Sequence, residues 1–198
     1  MEIKEIKADR FDPEDLKKAV DVLRQGGVIL YPTDTVWGLG CDATNPESVK
    51  RIFELKQRED AKSMLVLIEN PNMLNSYVRE VPEVAWQLIE VTDKPLTIIY
   101  PGAKNLAPNL IASDGSIGIR VTTESFTEYL IQRFRRPIVS TSANLSGKPS
   151  PQNFDEIEEE IKSAVDYVVQ YRQSEKTRAT PSSIVKLGTG GQITIVRP

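Results

Sequence analysis

Histidine is absent from this 198-residue chain, and cysteine occurs only once, at Cys41. Without histidine, neither a Ser-His-Asp triad nor a Cys-His pair can form, and no metal site can use an imidazole ligand. A single cysteine also excludes an internal disulfide and a structural zinc site built from several thiolates. Catalysis would therefore depend on lysine, arginine, carboxylate, hydroxyl, amide and backbone groups, with magnesium brought by a substrate.

Long apolar runs are absent as well. The longest, VILY at 28–31 and MLVLI at 64–68, are strand-sized and far shorter than the roughly 18 residues of a membrane-spanning helix. The first ten residues alternate charge with isoleucine and contain no signal-peptide core. With one cysteine, a reducing compartment suits the chain, so we expect a soluble cytoplasmic protein without a membrane segment. A net charge of −3 argues against a protein that mainly coats nucleic acid, although a local basic patch is compatible with it.

The order of the predicted elements indicates an α/β fold with a single domain over residues 1–198. The composition, 39% hydrophobic and 27% charged, is that of a globular protein. Asp12 followed by Pro13, and Asn45 followed by Pro46, are typical of helix starts. Helices are predicted from Asp12 to Gly26, from Asn45, near 70–77, over 82–91, from about Thr123 to Arg136 and over 153–164. Strands are predicted at 2–7, 28–31, 64–68, 96–100, 117–121, 137–140, 166–170, 183–187 and 192–197. This alternation favours a mixed sheet.

The segment PTDTVWGLG at 32–40 directly follows a predicted strand. Ligands of α/β proteins usually bind where strands end at their carboxyl side. Two threonine hydroxyls, a carboxylate and glycines that allow close backbone approach suit a small polar ligand. The alternative is an ordinary strand-to-loop turn with a packed Trp37.

A cationic segment, KQREDAK, follows the second predicted helix and contains Lys56, Arg58 and Lys62. Arginine presents a fork for phosphate or carboxylate and lysine a point charge, so the three cations can form an anion clamp. They can equally lie in solvent and favour the helix carboxyl end through its dipole.

The segment STSANLSGKPSP at 140–151 also follows a predicted strand and is dense in hydrogen-bond donors. It could hold a phosphate and a ribose, although it lacks the GxxxxGK(S/T) spacing of a P-loop; the alternative is a solvent loop. Two smaller pieces accompany it. Ser116 and Arg120 lie four residues apart on one face of a predicted strand, and a serine pair at 182–183 and Arg197 lie on the last two strands.

Taken in order, these motifs resemble the threonylcarbamoyl-AMP synthase (YrdC-type) family along nearly the whole chain, in its short single-domain form. The family pattern runs P-T-E/D-T-x-x-G-L, then K-x-R-x-x-x-K/N-P-L, an arginine strand, and S-x-N-x-S-G-x-x-S. The resemblance implies the YrdC-like fold, a twisted open sheet of parallel and antiparallel strands with flanking helices and a large basic cavity.

The implied enzyme is a nucleotidyltransferase that condenses L-threonine, bicarbonate or CO2 and ATP into threonylcarbamoyl-AMP and pyrophosphate. The product would pass to a separate tRNA threonylcarbamoyl transferase, which modifies the adenosine beside the anticodon. Mg²⁺ would be bound by the ATP phosphates and not by protein ligands. Neither zinc nor an organic cofactor is implied.

The resemblance also implies roles for individual residues. The implied threonine contacts are Thr35, Arg120, Ser140 and Ser183. The implied ATP contacts are Arg58, Lys62, Ser116, Ser142, Asn144, Ser150 and Arg197. The implied catalytic residues are Lys56, Arg58 and Lys62. The chain departs from the family pattern at Trp37, at Ser63-Met64, at Leu67, where some relatives carry histidine, and at Ser183, where threonine is commoner. The departures at Leu67 and Ser183 concern how the threonine side chain is held.

Other functions fit parts of the sequence. Basic runs at 56–62 and 133–136 suit a module that binds double-stranded RNA or tRNA without catalysis, and a weak RNA contact is compatible with the enzyme too. A maturation factor for metalloenzymes could share the fold with a different acyl acceptor, but such proteins usually carry additional domains. A degenerate regulatory relative would have lost the lysine, arginine and serine positions that this chain retains.

Overall fold

The computed structural model describes residues 11–57, 64–188 and 190–198. The helices within them are α1 (Pro13–Arg24), α2 (Pro46–Leu55), α3 (Leu74–Tyr77), α4 (Glu83–Val91), α5 (Ser125–Phe134) and α6 (Glu159–Ala164). The strands are β1 (Ile29–Tyr31), β2 (Gly38–Gly40), β3 (Leu65–Ile68), β4 (Leu96–Tyr100), β5 (Ile117–Val121), β6 (Ile138–Ser142), β7 (Tyr167–Val168), β8 (Ser183–Leu187) and β9 (Ile193–Arg197). Single 3-10 turns lie at Pro71–Met73, Pro108–Leu110 and Phe154–Glu156. None of these helices is long and apolar enough to span a bilayer.

Both helix starts predicted from the sequence are confirmed. The Asp12 carboxylate accepts a hydrogen bond from the backbone N–H of Glu14 at 2.9 Å, and the Asn45 side chain accepts from the N–H groups of Glu47 and Ser48. These contacts satisfy amide donors that have no partner within the first helical turn. The apolar stripe of α1 that the sequence predicts is buried.

The described strands form one mixed sheet with the order β7-β1-β2-β6-β3-β5-β4-β8-β9. The β1–β7, β3–β5 and β4–β8 pairs are parallel, and the remaining neighbours are antiparallel. The predicted α/β class and mixed sheet are therefore confirmed. This order places β5, β6, β8 and β9, which are distant in the sequence, within a few strands of one another.

Side-chain alternation assigns two apolar clusters to the two faces of the sheet. Residues such as Val66, Ile98 and Ile119 face one side, where they pack with buried residues of α2, α3 and α4. Leu67 and Ile138 face the other side and pack with α1 and α5. On this second face the side chains of β3, β4, β5 and β6 extend beyond the cluster, and the candidate site lies there.

Two sequence predictions of secondary structure are corrected. Residues 38–40, which the sequence predicts to be part of the loop after β1, form strand β2; glycine at two of the three positions has low strand propensity and hides this strand. The acidic helix predicted over 153–164 is a 3-10 turn and a shorter helix, separated by the extended residues Ile157 and Glu158. Closely spaced carboxylates repel one another along a continuous helix, which favours this break. The strand predicted at 2–7 lies outside the described residues.

Candidate functional site

A cavity of about 360 Å³ lies on the second face of the sheet. The predicted site residues that line it are Thr35, Ser116, Arg120, Ser140, Ser142, Ser150 and Arg197. They come from the loop between β1 and β2, from β5 and the residue before it, from β6 and β9, and from the loop after β6. The side chains that the sequence spreads over more than 160 positions therefore meet in one cavity.

Strand register explains much of this convergence. Leu67 lies opposite Arg120 across β3 and β5, and Ile184 lies between Thr97 and Arg197 across β4, β8 and β9. Residues paired across neighbouring strands project from the same face. The two arginines therefore lie along one line across the sheet, at the same wall of the cavity.

Arg120 is the most constrained cation of the cavity, with 3% of its surface exposed. Its Nη2 lies 2.9 Å from Oδ1 of the buried Asp34 and donates to the Thr35 hydroxyl at 3.2 Å. Its Nη1 lies 3.5 Å from the Thr97 hydroxyl. The Nε is buried and makes no hydrogen bond to any residue that the structure describes. A guanidinium fixed in this way with one N–H uncommitted can donate to a bound anion.

The loop that carries Asp34 and Thr35 is itself held at several points. The Thr33 hydroxyl donates to the Val36 carbonyl at 2.8 Å and lies 3.0 Å from the Thr35 hydroxyl. Arg172 donates to the Thr33 carbonyl at 3.0 Å. These contacts order the loop before any ligand binds, which reduces the entropy that binding would cost.

A second arginine, Arg197, is joined to the first through Ser182 and Thr97. Its Nε donates to the Ser182 carbonyl at 2.8 Å, and the Ser182 hydroxyl lies 2.8 Å from that of Thr97, next to Arg120. Partial burial and the nearby charge of Arg120 lower the pKa of the Arg197 guanidinium. Two cations at one wall favour an anionic ligand.

Ser182 and Thr97 line the cavity, although the resemblance implies no role for them, whereas Ser183, the implied threonine contact, is not in the lining. Ser183 lies opposite Leu96, which packs against the α2–α4 cluster, and it is not among the cavity residues, whereas Ser182 is. A shift of one residue along a strand exchanges the two faces. No sequence signal fixes which serine faces inward, because both have the same chemistry.

Lys56 and Asn144, predicted from the resemblance to act near the reacting groups, lie beside the cavity and do not line it. The Lys56 ammonium donates to the Ser142 and Asn144 carbonyls, the latter at 2.7 Å, and so holds the end of β6. The Asn144 amide donates to the Leu145 and Lys148 carbonyls. Asn144 also borders a second cavity of about 320 Å³, which shares Ser150 with the first.

The structure locates only some of the remaining residues that the sequence singles out. Arg58 and Lys62 lie outside the described residues. Leu67, the position of a family histidine, is fully buried under α1 and α5 and does not line the cavity. The described lining contains two arginines, one of them paired with Asp34, so a strongly basic cavity stays a prediction.

The comparisons with known proteins agree with this architecture. Residues 21–198 match the Sua5/YciO/YrdC family model, described as "Telomere recombination". The threonylcarbamoyl-AMP synthase of Photobacterium profundum is 34% identical over 151 residues, which cover 75% of this chain and 82% of that protein.

Solved structures show the same fold. Sua5 of P. abyssi in complex with L-threonine superposes with a TM-score of 0.80 and 28% identity, over 92% of this chain and 53% of that one. YciO of E. coli gives a TM-score of 0.81 and 26% identity, over 95% of this chain and 91% of that one. The chain therefore spans about half the length of the Sua5 protein.

Proposed function

The chain belongs to the Sua5/YciO/YrdC family, and from this premise we propose that it is an L-threonylcarbamoyladenylate synthase. As a nucleotidyltransferase, it would condense L-threonine, bicarbonate or CO2 and ATP into threonylcarbamoyl-AMP and pyrophosphate. The observation that carries the proposal is the buried Arg120, held by Asp34 and Thr35 at the wall of a cavity that also contains Arg197. One arginine suits the carboxylate of an amino acid, and the other suits a phosphate.

In the proposed reaction, the neutral threonine amine attacks the carbon of CO2 or bicarbonate and forms N-carboxy-threonine. With CO2 the amine releases a proton, and with bicarbonate this proton leaves together with a hydroxyl group as water. An oxygen of the new N-carboxylate group attacks the α-phosphorus of ATP. The bond from that phosphorus to the oxygen that bridges it to the β-phosphorus breaks, and pyrophosphate leaves. Neither step needs a side-chain nucleophile. Such reactions depend on alignment of the reactants and on stabilisation of charge.

The cavity residues divide naturally between the two substrates. Arg120, Thr35 and Ser140 would bind threonine, and we propose Ser182, which lines the cavity, as a further contact in place of the neighbouring Ser183. Ser116, Ser142, Ser150 and Arg197 would contact ATP, with Arg58 and Lys62 as further predicted phosphate contacts. Lys56 would position the Ser142 and Asn144 carbonyls that its ammonium contacts.

Magnesium enters this proposal as part of the substrate. The described residues hold no group of three or more acidic, cysteine or histidine side chains that could bind a metal ion. Mg²⁺ at nucleotide sites is commonly held by phosphates and water with few protein ligands. We accordingly propose that the ion arrives on the ATP phosphates.

The product would pass, in the cytoplasm, to a separate transferase that modifies tRNA. A weak contact with tRNA or double-stranded RNA belongs to the same proposal, because Arg133 and Arg135 are exposed at the end of α5, while Arg136 pairs with Asp42. An RNA contact of this kind would weaken steeply as salt rises.

The direct test is incubation with ATP, Mg²⁺, L-threonine and labelled bicarbonate, followed by mass analysis of the nucleotide product. We expect a labelled threonylcarbamoyl adenylate that disappears when either threonine or bicarbonate is omitted. Arg197→Ala removes a charged donor from the cavity and should lower the rate about 100-fold. Arg133→Ala makes the same change on the surface and should leave the rate unchanged. Pyrophosphate release that does not require threonine would contradict the proposal.

A further inference from the structure

Ser116 is a buried residue that lines the cavity and belongs to a short chain of polar contacts. Its hydroxyl lies 2.5 Å from Oδ1 of Asp114, and its backbone N–H donates to the same oxygen at 3.0 Å. The other carboxylate oxygen, Oδ2, accepts from Lys186 at 2.7 Å. Asp114 is therefore fixed from two sides and fixes Ser116 in turn.

This contact determines the direction of the Ser116 hydroxyl proton. The hydrogen bonds from Lys186 and Ser116 hold the pKa of the Asp114 carboxyl well below its usual range, so the group is ionised at neutral pH. An ionised carboxylate can only accept hydrogen bonds, whereas a serine hydroxyl has one proton and two lone pairs. The Ser116 proton is thus committed to Asp114, and its oxygen can offer a ligand only lone pairs.

The floor of the cavity beside Ser116 suits a flat apolar group. Gly118 projects from the same face as Ser116 and Arg120 and lies opposite Ile99 in β4. A Cβ at Gly118 would lie 3.4 Å from the Thr97 methyl carbon, 3.5 Å from Cβ of Leu65 and 3.9 Å from Cγ1 of Ile99. Because that Cβ is absent, the floor stays open between these apolar groups, which suits the flat face of a purine.

We propose that Asp114 determines base specificity: it holds the Ser116 hydroxyl as an acceptor for the 6-amino group of adenine. A purine with oxygen at position 6 would place that acceptor against the Ser116 oxygen, which is also an acceptor, and would bind more weakly. Asp114 acts through Ser116 and is a positioning residue. The inference rests on the proposed function only in taking the ligand to be a purine nucleoside triphosphate.

Calorimetric titration of the whole protein tests this without turnover, with Mg²⁺ and three nucleotides: ATP, purine riboside triphosphate, which has hydrogen at position 6, and ITP, which has oxygen there. We expect wild type to bind ATP about tenfold more tightly than the purine nucleotide, the effect of one hydrogen bond, and ITP more weakly still. Ser116→Ala should bind ATP and the purine nucleotide equally.

The decisive comparison is between two variants of Asp114. Asp114→Ala releases the Ser116 proton, so the preference for ATP over ITP should fall about tenfold. Asp114→Asn keeps a carbonyl acceptor for Ser116 and should retain the preference. Lys186→Met removes the ion pair alone and should also retain it.

Three outcomes would overturn the inference. One is a preference for ATP over ITP that does not change in Asp114→Ala when a melting curve shows that the variant is folded. If no triphosphate binds at all, both this inference and the proposed function are wrong, whereas binding without base selectivity contradicts this inference alone.

Discussion

At the scale of single residues, the buried pair of Asp34 and Arg120 shows how the fold fixes a cation for binding. Transferring both charges out of water costs free energy that their attraction only roughly offsets, so the pair contributes little net stability. The pair instead fixes the orientation of the Arg120 guanidinium, because Asp34, Thr35 and Thr97 hold it together. The sequence identified Arg120 and Thr35 as candidates, but only the structure shows that Asp34 is the partner that orients the guanidinium.

Lys56 gives the first prediction at this scale. Its ammonium holds two carbonyls at the end of β6, and its own carbonyl accepts from the Ser146 N–H at 3.1 Å. Lys56→Met should leave those carbonyls without their charged donor and lower the free energy of unfolding by about 2 kcal/mol. Because Ser142 would shift, activity should fall roughly 100-fold. Urea unfolding and the synthesis assay measure the two effects.

The control is Lys50→Met. Lys50 lies on the exposed side of α2, the helix that ends just before Lys56, and it pairs weakly with Glu54 at 3.7 Å. A surface pair of this kind is worth well under about 1 kcal/mol, so both stability and activity should stay near wild type. Loss of activity in Lys56→Met with unchanged stability would contradict the positioning role.

At the scale of elements, strand β2 shows where reading the sequence fails. Strand patterns are recognised from β-branched and aromatic residues, and β2 has glycine at two of its three positions. The reason for one glycine appears only in three dimensions, since a Cβ at Gly40 would lie 2.5 Å from Cε1 of Tyr31. The helix starts, by contrast, depend on neighbouring residues and were predicted correctly. Signals from neighbouring residues therefore predict where helices begin. They do not predict contacts between strands, such as the one between Gly40 and Tyr31.

Gly40→Ala should accordingly destabilise the β1–β2 hairpin. The new methyl group would meet the Tyr31 ring at 2.5 Å and the Val139 carbonyl at 3.1 Å, and overpacking of this kind costs about 1–3 kcal/mol. Urea unfolding measures the loss. Gly118→Ala is the matched control in the same sheet, because its nearest contacts would be ordinary ones of 3.4 Å and longer. Equal stability of the two variants would show that a methyl group at residue 40 does not clash with Tyr31 strongly enough to destabilise the protein.

At the scale of the whole molecule, the candidate site is a product of strand order. The sheet places β6, β3, β5, β4, β8 and β9 side by side, although the chain runs from residue 65 to 197 between them. The sequence supplied most of the side chains of the cavity through ordered motifs. It could not supply the register, so the choice of Ser182 over Ser183 and the link from Arg120 through Thr97 to Arg197 required the structure.

Asp166 joins three parts of the molecule and gives the last prediction. Its carboxylate accepts from the Val28 N–H at 2.7 Å before β1 and from Arg51 of α2 at 3.0 Å, while its own N–H donates to the Val28 carbonyl at 2.9 Å. The Arg51 hydrogen bond, with a smaller contribution from Val28, lowers the pKa of Asp166 below its ordinary 3.8. A lowered carboxyl pKa contributes stability that is complete above about pH 4 and is lost as the pH falls below that value.

Asp166→Asn should therefore lower the free energy of unfolding at pH 7 by about 1 kcal/mol, a modest figure because solvent screens the partly exposed pair. The gap from wild type should begin to close as the pH is lowered below 3.8, because the unfolded chain then binds a proton at Asp166 that the folded protein, with its lowered pKa, does not yet bind. Urea unfolding between about pH 3 and 7 measures this, with Glu160→Gln as the control for loss of an exposed acidic charge. A gap that stays constant across this range would mean that Asp166 stabilises the fold by its shape and not by its charge.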